Sequence, residues 1–231
     1  MTSKTGAWLE DLTWVEAKAR FEAGSLVVVP IGAASKAHGA HLPLKTDALT
    51  ARALAQRLVD RLPVLAAPVV GFGYYPAFVD FAGSQHLSAD TFKSLLGDVL
   101  AGLRAHGARR IVILNTGVST EKPLNELAAD DLLILHMRQL GSAAEALLDV
   151  PEGGHADERE TSVMLALDPG SVRMDRLVPQ GPFESSAATG DPSRATAFKG
   201  ERILAARVDD MMARVIERWP DLATRALALK G

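Results

Sequence analysis

The sequence predicts a single α/β domain whose sheet is mostly parallel and covered by helices on both faces. Short runs of continuously apolar residues alternate along the chain with longer segments whose apolar residues recur at helical spacing. Strands of this kind are typical of a sheet buried between two helical layers. No internal repeat and no low-complexity linker divides the chain, so residues 1–231 are predicted to form one domain.

Four short apolar runs predict the strands. Each is rich in Val, Ile or Leu and stops at a glycine or a polar residue, as strands buried on both faces do. The clearest of them ends at Asn115. The predicted strands lie at 25–32, 63–70, 110–115 and 131–136.

Four longer segments predict the helices that cover the sheet. Thr46 is a candidate N-cap of the first helix, with Asp47 in its first turn. The second helix is expected to start near Ser88 and to stop at Gly107. The predicted helices lie at 48–62, 92–106, 158–167 and 200–229.

Composition excludes several classes of site and partner. The chain has no cysteine, which rules out disulfides, thiolate metal sites and cysteine nucleophiles. A net charge of −3 gives no electrostatic reason to expect a nucleic-acid or membrane partner. There is no signal-peptide pattern and no apolar run of the ~18 residues that a membrane span needs. We therefore expect a soluble cytoplasmic protein.

Polar residues follow the first predicted strand. In the segment 32–47, His38 and His41 are three residues apart and precede Asp47. Imidazole and carboxylate groups suit borderline divalent ions such as zinc or manganese. The alternative is a polar loop that only caps the next helix.

Two further segments carry candidate chemistry. Ser119 and Thr120 follow the clearest strand and offer hydroxyl donors to a substrate, or else an ordinary helix cap. A glycine pair precedes His155, which is followed by Asp157 and Glu160 at the start of a helix. His155 is a candidate general acid or base because its ordinary pKa lies near neutrality. The alternative is that the acidic residues only complement the positive end of the helix.

All three segments are expected at one edge of the sheet. In open α/β sheets, ligands bind beyond the carboxyl ends of the strands. These segments lie there, so we expect the site there too.

Taken in order, the segments resemble the creatininase family of metal-dependent amidohydrolases. The family pattern P-V-G-S/A-x-E-Q-H-G-P-H-L-P-x-x-T-D is similar to residues 30–32 and 38–47. The family pattern H-A-G-x-x-E-T-S is similar to 155–162, and the closing G-D-P…A-T…K-G is similar to 190–200. The resemblance covers nearly the whole chain and implies a three-layer α/β/α fold.

Two departures from the family pattern indicate a divergent branch with altered metal-ligand motifs. Lys36 stands where the family has a glutamate ligand, and the neighbouring position is Ala37. In the second loop, N-G-H-G-G-N in the family, Gly117 stands where the family has a histidine ligand. The resemblance usually implies two metal ions, and these changes remove ligands of one of them. We therefore expect one zinc or manganese ion, or none.

Ten residues receive candidate roles, four of them (His38, Asp47, Glu160 and His155) because they match family positions. The expected reaction is hydrolysis, or the reverse condensation, of a non-peptide C–N bond in a small amide, cyclic amides included. The family also implies a homo-oligomer, a hexamer. The candidate residues are His38, Asp47 and Glu160 for the metal; His155, Lys36 and Asp157 for catalysis; and His41, Tyr75, Ser119 and Thr120 for substrate binding.

Several alternatives stay open at this point. The same scaffold could serve a metal-free lyase, isomerase or cyclase, or a catalytically silent protein that binds a ligand. Lys36 is either a solvated loop lysine or an ammonium that occupies the space of the missing metal and stabilises an oxyanion. Tyr75 is either a wall of the pocket or part of the core.

Overall fold

Five parallel strands form the central sheet. The computed structural model describes residues 6–177 and 182–227. The strands stand in the order β1–β3–β2–β4–β5, and every neighbouring pair is parallel. The central strand β2 is buried at every residue. The bounds are β1 (Ala7–Trp8), β2 (Leu26–Ile31), β3 (Val64–Ala66), β4 (Ile111–Asn115) and β5 (Leu132–His136).

Helices cover both faces of this sheet, which confirms the predicted α/β fold. Helices α2, α5 and α7 pack with Val28 and Val112 on one face, while α1, α3 and α4 pack with Val27 and Val29 on the other. The side chains of successive β2 residues thus pack in cores on opposite faces of the sheet, as the pleat of a strand requires. The helices are α1 (Trp14–Glu22), α2 (Thr46–Val59), α3 (Ala89–Ala105), α4 (Glu121–Asn125), α5 (Glu158–Leu167), α6 (Phe183–Ser186), α7 (Ala197–Arg218) and α8 (Asp221–Leu227).

Two predicted elements differ most from their bounds in the structure. The predicted strand 63–70 is regular only over β3, because Pro68 has no N–H for the ladder, although Val70 makes an isolated bridge to Ile31. The predicted helix 200–229 is two helices, α7 and α8, since Pro220 cannot continue a helix. Its predicted end lies outside the described residues.

The helix ends follow the sequence in part. Ser88 caps α3 by accepting a hydrogen bond from the Thr91 amide, and Gly107 follows the helix with φ +102°. The prediction that Thr46 is an N-cap is wrong. Lys45 holds that position, and the Thr46 hydroxyl instead donates to the Pro43 carbonyl at 2.7 Å.

A small antiparallel ribbon lies apart from the main sheet. It pairs β6 (Gly153–His155) with β7 (Thr189–Gly190), and β6 leads directly into α5. Both glycines of β6 have φ near +143°, a conformation that side chains rarely adopt. The ribbon thereby holds His155 at the start of α5. No helix among the described residues is long and apolar enough to cross a membrane.

Candidate active site

The loop after β2 and the start of α5 meet, as predicted, beyond the carboxyl ends of the strands. His38 is fully buried in that loop. Its Nδ1 atom lies 2.8 Å from the Lys36 carbonyl oxygen, and its Nε2 atom lies 3.0 Å from Oδ1 of Asp47. The carbonyl only accepts, so Nδ1 carries a proton. The Asp47 oxygen also only accepts, so a proton on Nε2 donates to it, and a metal ion bound at Nε2 would take the place of that proton.

Lys36 and Asp47 form a buried ion pair behind His38. The Lys36 Nζ atom is 2.6 Å from Asp47 Oδ2, and it lies over the rings of Tyr75 and Phe78. Lys36 is only 5% exposed, so its interpretation as a solvated loop lysine is wrong. Burial by itself raises the pKa of Asp47, but the charges and hydrogen bonds of Lys36 and His38 outweigh it and hold that pKa below its ordinary value.

His155 and Glu160 face each other at the start of α5. The His155 Nε2 atom lies 2.8 Å from the Ala37 carbonyl, and Nδ1 lies 3.6 Å from Glu160 Oε2. The Ala156 amide donates to the same Glu160 oxygen at 2.6 Å. Burial, helped by the charge of His38, lowers the pKa of His155 well below its ordinary value. Burial also raises the pKa of Glu160.

These side chains form one group with the chemistry of a metal site. The ligand atoms of His38, His155 and Glu160 all lie within 4.8 Å of one another. One nitrogen of each histidine donates to a backbone carbonyl, so the candidate metal-ligand atoms are Nε2 of His38, which also faces Asp47, and Nδ1 of His155. Asp47 is not part of this group of described residues, because its carboxylate is turned to Lys36 and His38.

Asp157 positions this group without belonging to it. It is the N-cap of α5, and its Oδ1 atom accepts from the Glu160 amide at 2.9 Å. Its Oδ2 atom accepts from Arg159, which also contacts Glu145. Asp157 thus fixes the first turn of the helix that carries Glu160.

A cavity of about 690 Å³ opens onto the group. His155, Asp157 and Glu160 are on its surface, whereas His38, Lys36 and Asp47 lie behind them. The glycines of β6 and the turn after β4 form part of the wall. The other charged residues of the wall are Glu121, Arg138, Glu145, Arg159 and Arg207.

The four described residues predicted to bind substrate do not line this cavity. His41 is buried with Nε2 2.8 Å from the Thr161 hydroxyl, and Tyr75 is 1% exposed. Thr120 donates to the Asn115 side chain at 2.7 Å, and Ser119 is half-buried. Burial and the charge of His38 lower the pKa of His41 to about 4. Their substrate-binding roles stay predictions.

The sequence reasoning missed the arginines of the cavity. Arg207 is the clearest case, because it is 3% exposed and lies in α7 among the apolar residues Leu204, Val208 and Met211. A lone arginine at helical spacing within an apolar stripe is a readable signal of a buried charge.

A match over most of the chain decides the family. The creatininase family model, described as creatinine amidohydrolase, matches residues 10–215. The chain belongs to the creatininase family. This confirms the resemblance drawn from the motifs, and it makes the chain an amidohydrolase of that family.

Creatininase-family relatives are similar over most of their length. The mycofactocin precursor peptide peptidase of Mycobacterium tuberculosis is 33% identical over 221 residues, covering 84% of this chain and 85% of the relative. The creatinine amidohydrolase of Pseudomonas putida is 29% identical, covering 91% and 96%. A manganese creatininase structure superposes with a TM-score of 0.81 at 26% identity, covering 93% of this chain and 99% of that one.

Proposed function

We propose that this creatininase-family protein hydrolyses the C–N bond of a small amide with one divalent ion, zinc or manganese. The group formed by His38, His155 and Glu160 carries the proposal, because two nitrogen donors and one carboxylate lie within reach of a single ion. Three protein ligands with an open fourth position are typical of catalytic zinc sites. When bound, such an ion polarises a carbonyl group and lowers the pKa of water.

One metal ligand differs from the set predicted from the sequence: His155 takes the place of Asp47. Asp47 was expected to hold the ion with His38 and Glu160, and His155 was expected to move a proton. Asp47 Oδ2 already has the Lys36 ammonium at 2.6 Å, whereas His155 turns Nδ1 toward Glu160. His155 is therefore the third ligand in the proposed site, and Asp47 orients the His38 ring.

The buried lysine explains why one ion suffices. Lys36 stands at a family glutamate position and brings a positive charge to Asp47 in the interior of the protein. A second divalent ion beside this ammonium would meet repulsion instead of a ligand. The pair thus supplies within the chain the charge balance that a second ion would provide.

Other residues shape the site around the amide. The ring of Phe78 lies 4.8 Å from that of His155, and Phe183 lies 5.4 Å from Phe78. These rings exclude water from one side of His155. On the cavity side, Gly154 has no atom within 4 Å of the place where a Cβ would stand, so substrate can approach the backbone there.

Elemental analysis of the purified protein tests the proposal. We expect about one zinc or manganese ion per chain, lost on dialysis against chelator together with hydrolysis of a panel of cyclic and open-chain amides. His38→Ala should lose the ion, and His106→Ala, at an exposed histidine, should keep it. A protein that stays metal-free after reloading, or stays active without metal, would contradict the proposal and favour the metal-free alternative.

A His155→Ala variant separates the two roles of that residue. A ligand role predicts loss of the ion. If the variant keeps its ion and loses only turnover, His155 is the proton carrier expected from the sequence, and the proposed ligand set is wrong.

Peptide hydrolysis is the second candidate function. It is favoured by the peptidase relative, which is 33% identical over most of the chain. A peptide bond is also an amide, and the cavity of about 690 Å³ has room for the last residues of a peptide. The substrate panel should therefore contain short peptides, and cleavage of peptides alone would favour this function over the first.

We also propose a cytoplasmic homo-oligomer, a hexamer by resemblance. The exposed apolar side chains Trp14 and Phe198 support an interface, at 77% and 69% exposure. Light scattering after size exclusion tests the assembly, and a monomeric mass would contradict it.

A further inference from the structure

A buried arginine lies on the wall of the cavity. Arg207 is in the middle of α7 and is 3% exposed, although it lines the cavity that contains His155 and Glu160. Its stem passes close to Gly141, where a Cβ would lie 2.8 Å from Arg207 Cγ. Gly141 also has φ +85°, so this turn both favours glycine and leaves room for the arginine.

This arginine has no partner of its own. Within residues 6–177 and 182–227, the Arg207 Nε atom has no hydrogen-bond partner and the side chain makes no ion pair. The other arginines of the wall are paired: Arg159 with Asp157 and Glu145, and Arg138 with Glu121. A guanidinium has five N–H donors in a planar fork. An unpaired charge in the interior costs several kcal/mol, which is a large part of the free energy of unfolding of many proteins.

The charge persists despite burial. Burial and the charge of Arg159 lower the pKa of Arg207 to about 10, against the opposing charges of Glu160, Asp157 and Glu145. The side chain is therefore still positive at neutral pH. Those carboxylates already accept hydrogen bonds from other groups. Glu160 accepts from the Ala156 amide, and Asp157 and Glu145 accept from Arg159.

We propose that Arg207 binds a carboxylate group of the substrate, so that the amide hydrolysed here is an acidic one, such as an N-acyl amino acid or the carboxyl end of a peptide. The inference rests on the proposed function, since it places the carboxylate and the scissile bond in the same cavity. A carboxylate matches the planar fork with two parallel hydrogen bonds. A phosphate would bring more negative charge against Glu121, Glu145 and Asp157 on the same wall.

Binding of matched probes tests this subsite. The probes are acetate, N-acetylglycine and hippurate, each compared at constant ionic strength with its neutral amide: acetamide, N-acetylglycinamide and hippuramide. Calorimetry on the zinc-loaded and on the chelator-treated protein should show at least one acid binding about tenfold or more tighter than its amide. Arg207→Met should abolish this difference. Arg138→Met, which removes the paired arginine of the same wall, should keep it.

Thermal melting without any probe separates binding from folding. Removing an unpartnered buried charge should leave the melting temperature of Arg207→Met unchanged or raise it. A lower melting temperature would show that Arg207 is a structural residue and would overturn the proposal. So would equal binding of all three acids and their amides to the unmodified protein, or equal competition by inorganic phosphate. Metal content is measured separately, so loss of the ion with the acid preference intact would contradict only the proposed function.

Discussion

Lys36 Nζ lies 2.6 Å from Asp47 Oδ2, and both side chains are withdrawn from solvent. The pair joins the loop after β2 to the first turn of α2 directly behind His38. A buried charge is tolerated when its partner is close, and removal of one partner leaves the other charge uncompensated. The pair therefore has consequences for stability that do not depend on the reaction.

Lys36→Met should strongly destabilise the metal-free protein. Asp47 then keeps its charge in the interior with only His38 beside it, and the free energy of unfolding should fall by about 3–5 kcal/mol. Urea unfolding measures this change. Lys45→Met is the matched control, because Lys45 pairs with Asp168 at 2.9 Å on the surface and such pairs contribute about 1 kcal/mol or less.

The double variant Lys36→Met, Asp47→Asn should recover part of this loss, because neither charge then remains in the interior. Equal effects of Lys36→Met and Lys45→Met would contradict the account of the buried pair.

Much of the fold could be predicted from the sequence, because burial on both faces of a strand leaves a continuous apolar run. The strands β2, β4 and β5 lie within their predicted segments, and α5 has its predicted bounds. The largest differences in bounds occur next to prolines, at Pro68 and at Pro220. Proline removes one backbone donor without disturbing the apolar pattern on which the prediction rests.

The candidate site was predictable as a set of segments but not as a set of contacts. Spacing predicted Glu160 more than one helical turn after His155, and His155 Nδ1 lies 3.6 Å from Glu160 Oε2. The partner of Lys36 was not readable, because a carboxylate at a family ligand position is equally able to bind a metal or an ammonium. The lack of a partner for Arg207 is a property of the folded interior and has no sequence signature.

Acidification should destabilise the protein through His41. Its pKa falls from 6.5 to about 4 on folding, so between these values the unfolded chain binds the proton and the folded chain does not. This contribution to stability is complete above about pH 6.5 and is lost as the pH falls toward 4. The limiting slope for one such group is about 1.4 kcal/mol per pH unit.

His41→Gln should reduce that slope, measured as urea unfolding free energies at several pH values. His155 adds a slope of the same sign in both proteins, because its pKa is also lowered. His106→Gln, at an exposed histidine, should change nothing. Identical slopes for the His41 variant and the unmodified protein would rule out this role.

Gly200 allows α7 to approach α5 closely. A Cβ at this position would overlap the Ser162 carbonyl group, which is backbone and cannot rotate away. Gly200→Ala should therefore lower the free energy of unfolding by about 1–3 kcal/mol. Gly97→Ala in α3 has the opposite expectation, a gain of about 0.5–1 kcal/mol, because no atom lies within 4 Å of its Cβ. A Gly200→Ala variant as stable as Gly97→Ala, or a gain of stability from both, would contradict the close approach of α7 to α5.

Asp157→Ala should weaken metal binding by acting through Glu160. The Asp157 carboxylate accepts from the Glu160 amide at 2.9 Å, so its loss frees the turn that carries a proposed ligand. We expect about 10–100-fold weaker zinc binding, measured by chelator competition, and about 0.5–2 kcal/mol less stability. Thr196→Ala is the matched control, because Thr196 caps α7 in the same way but does not line the cavity. It should lose similar stability and keep its zinc affinity. Equal affinities for the two variants would show that Asp157 is only a helix cap.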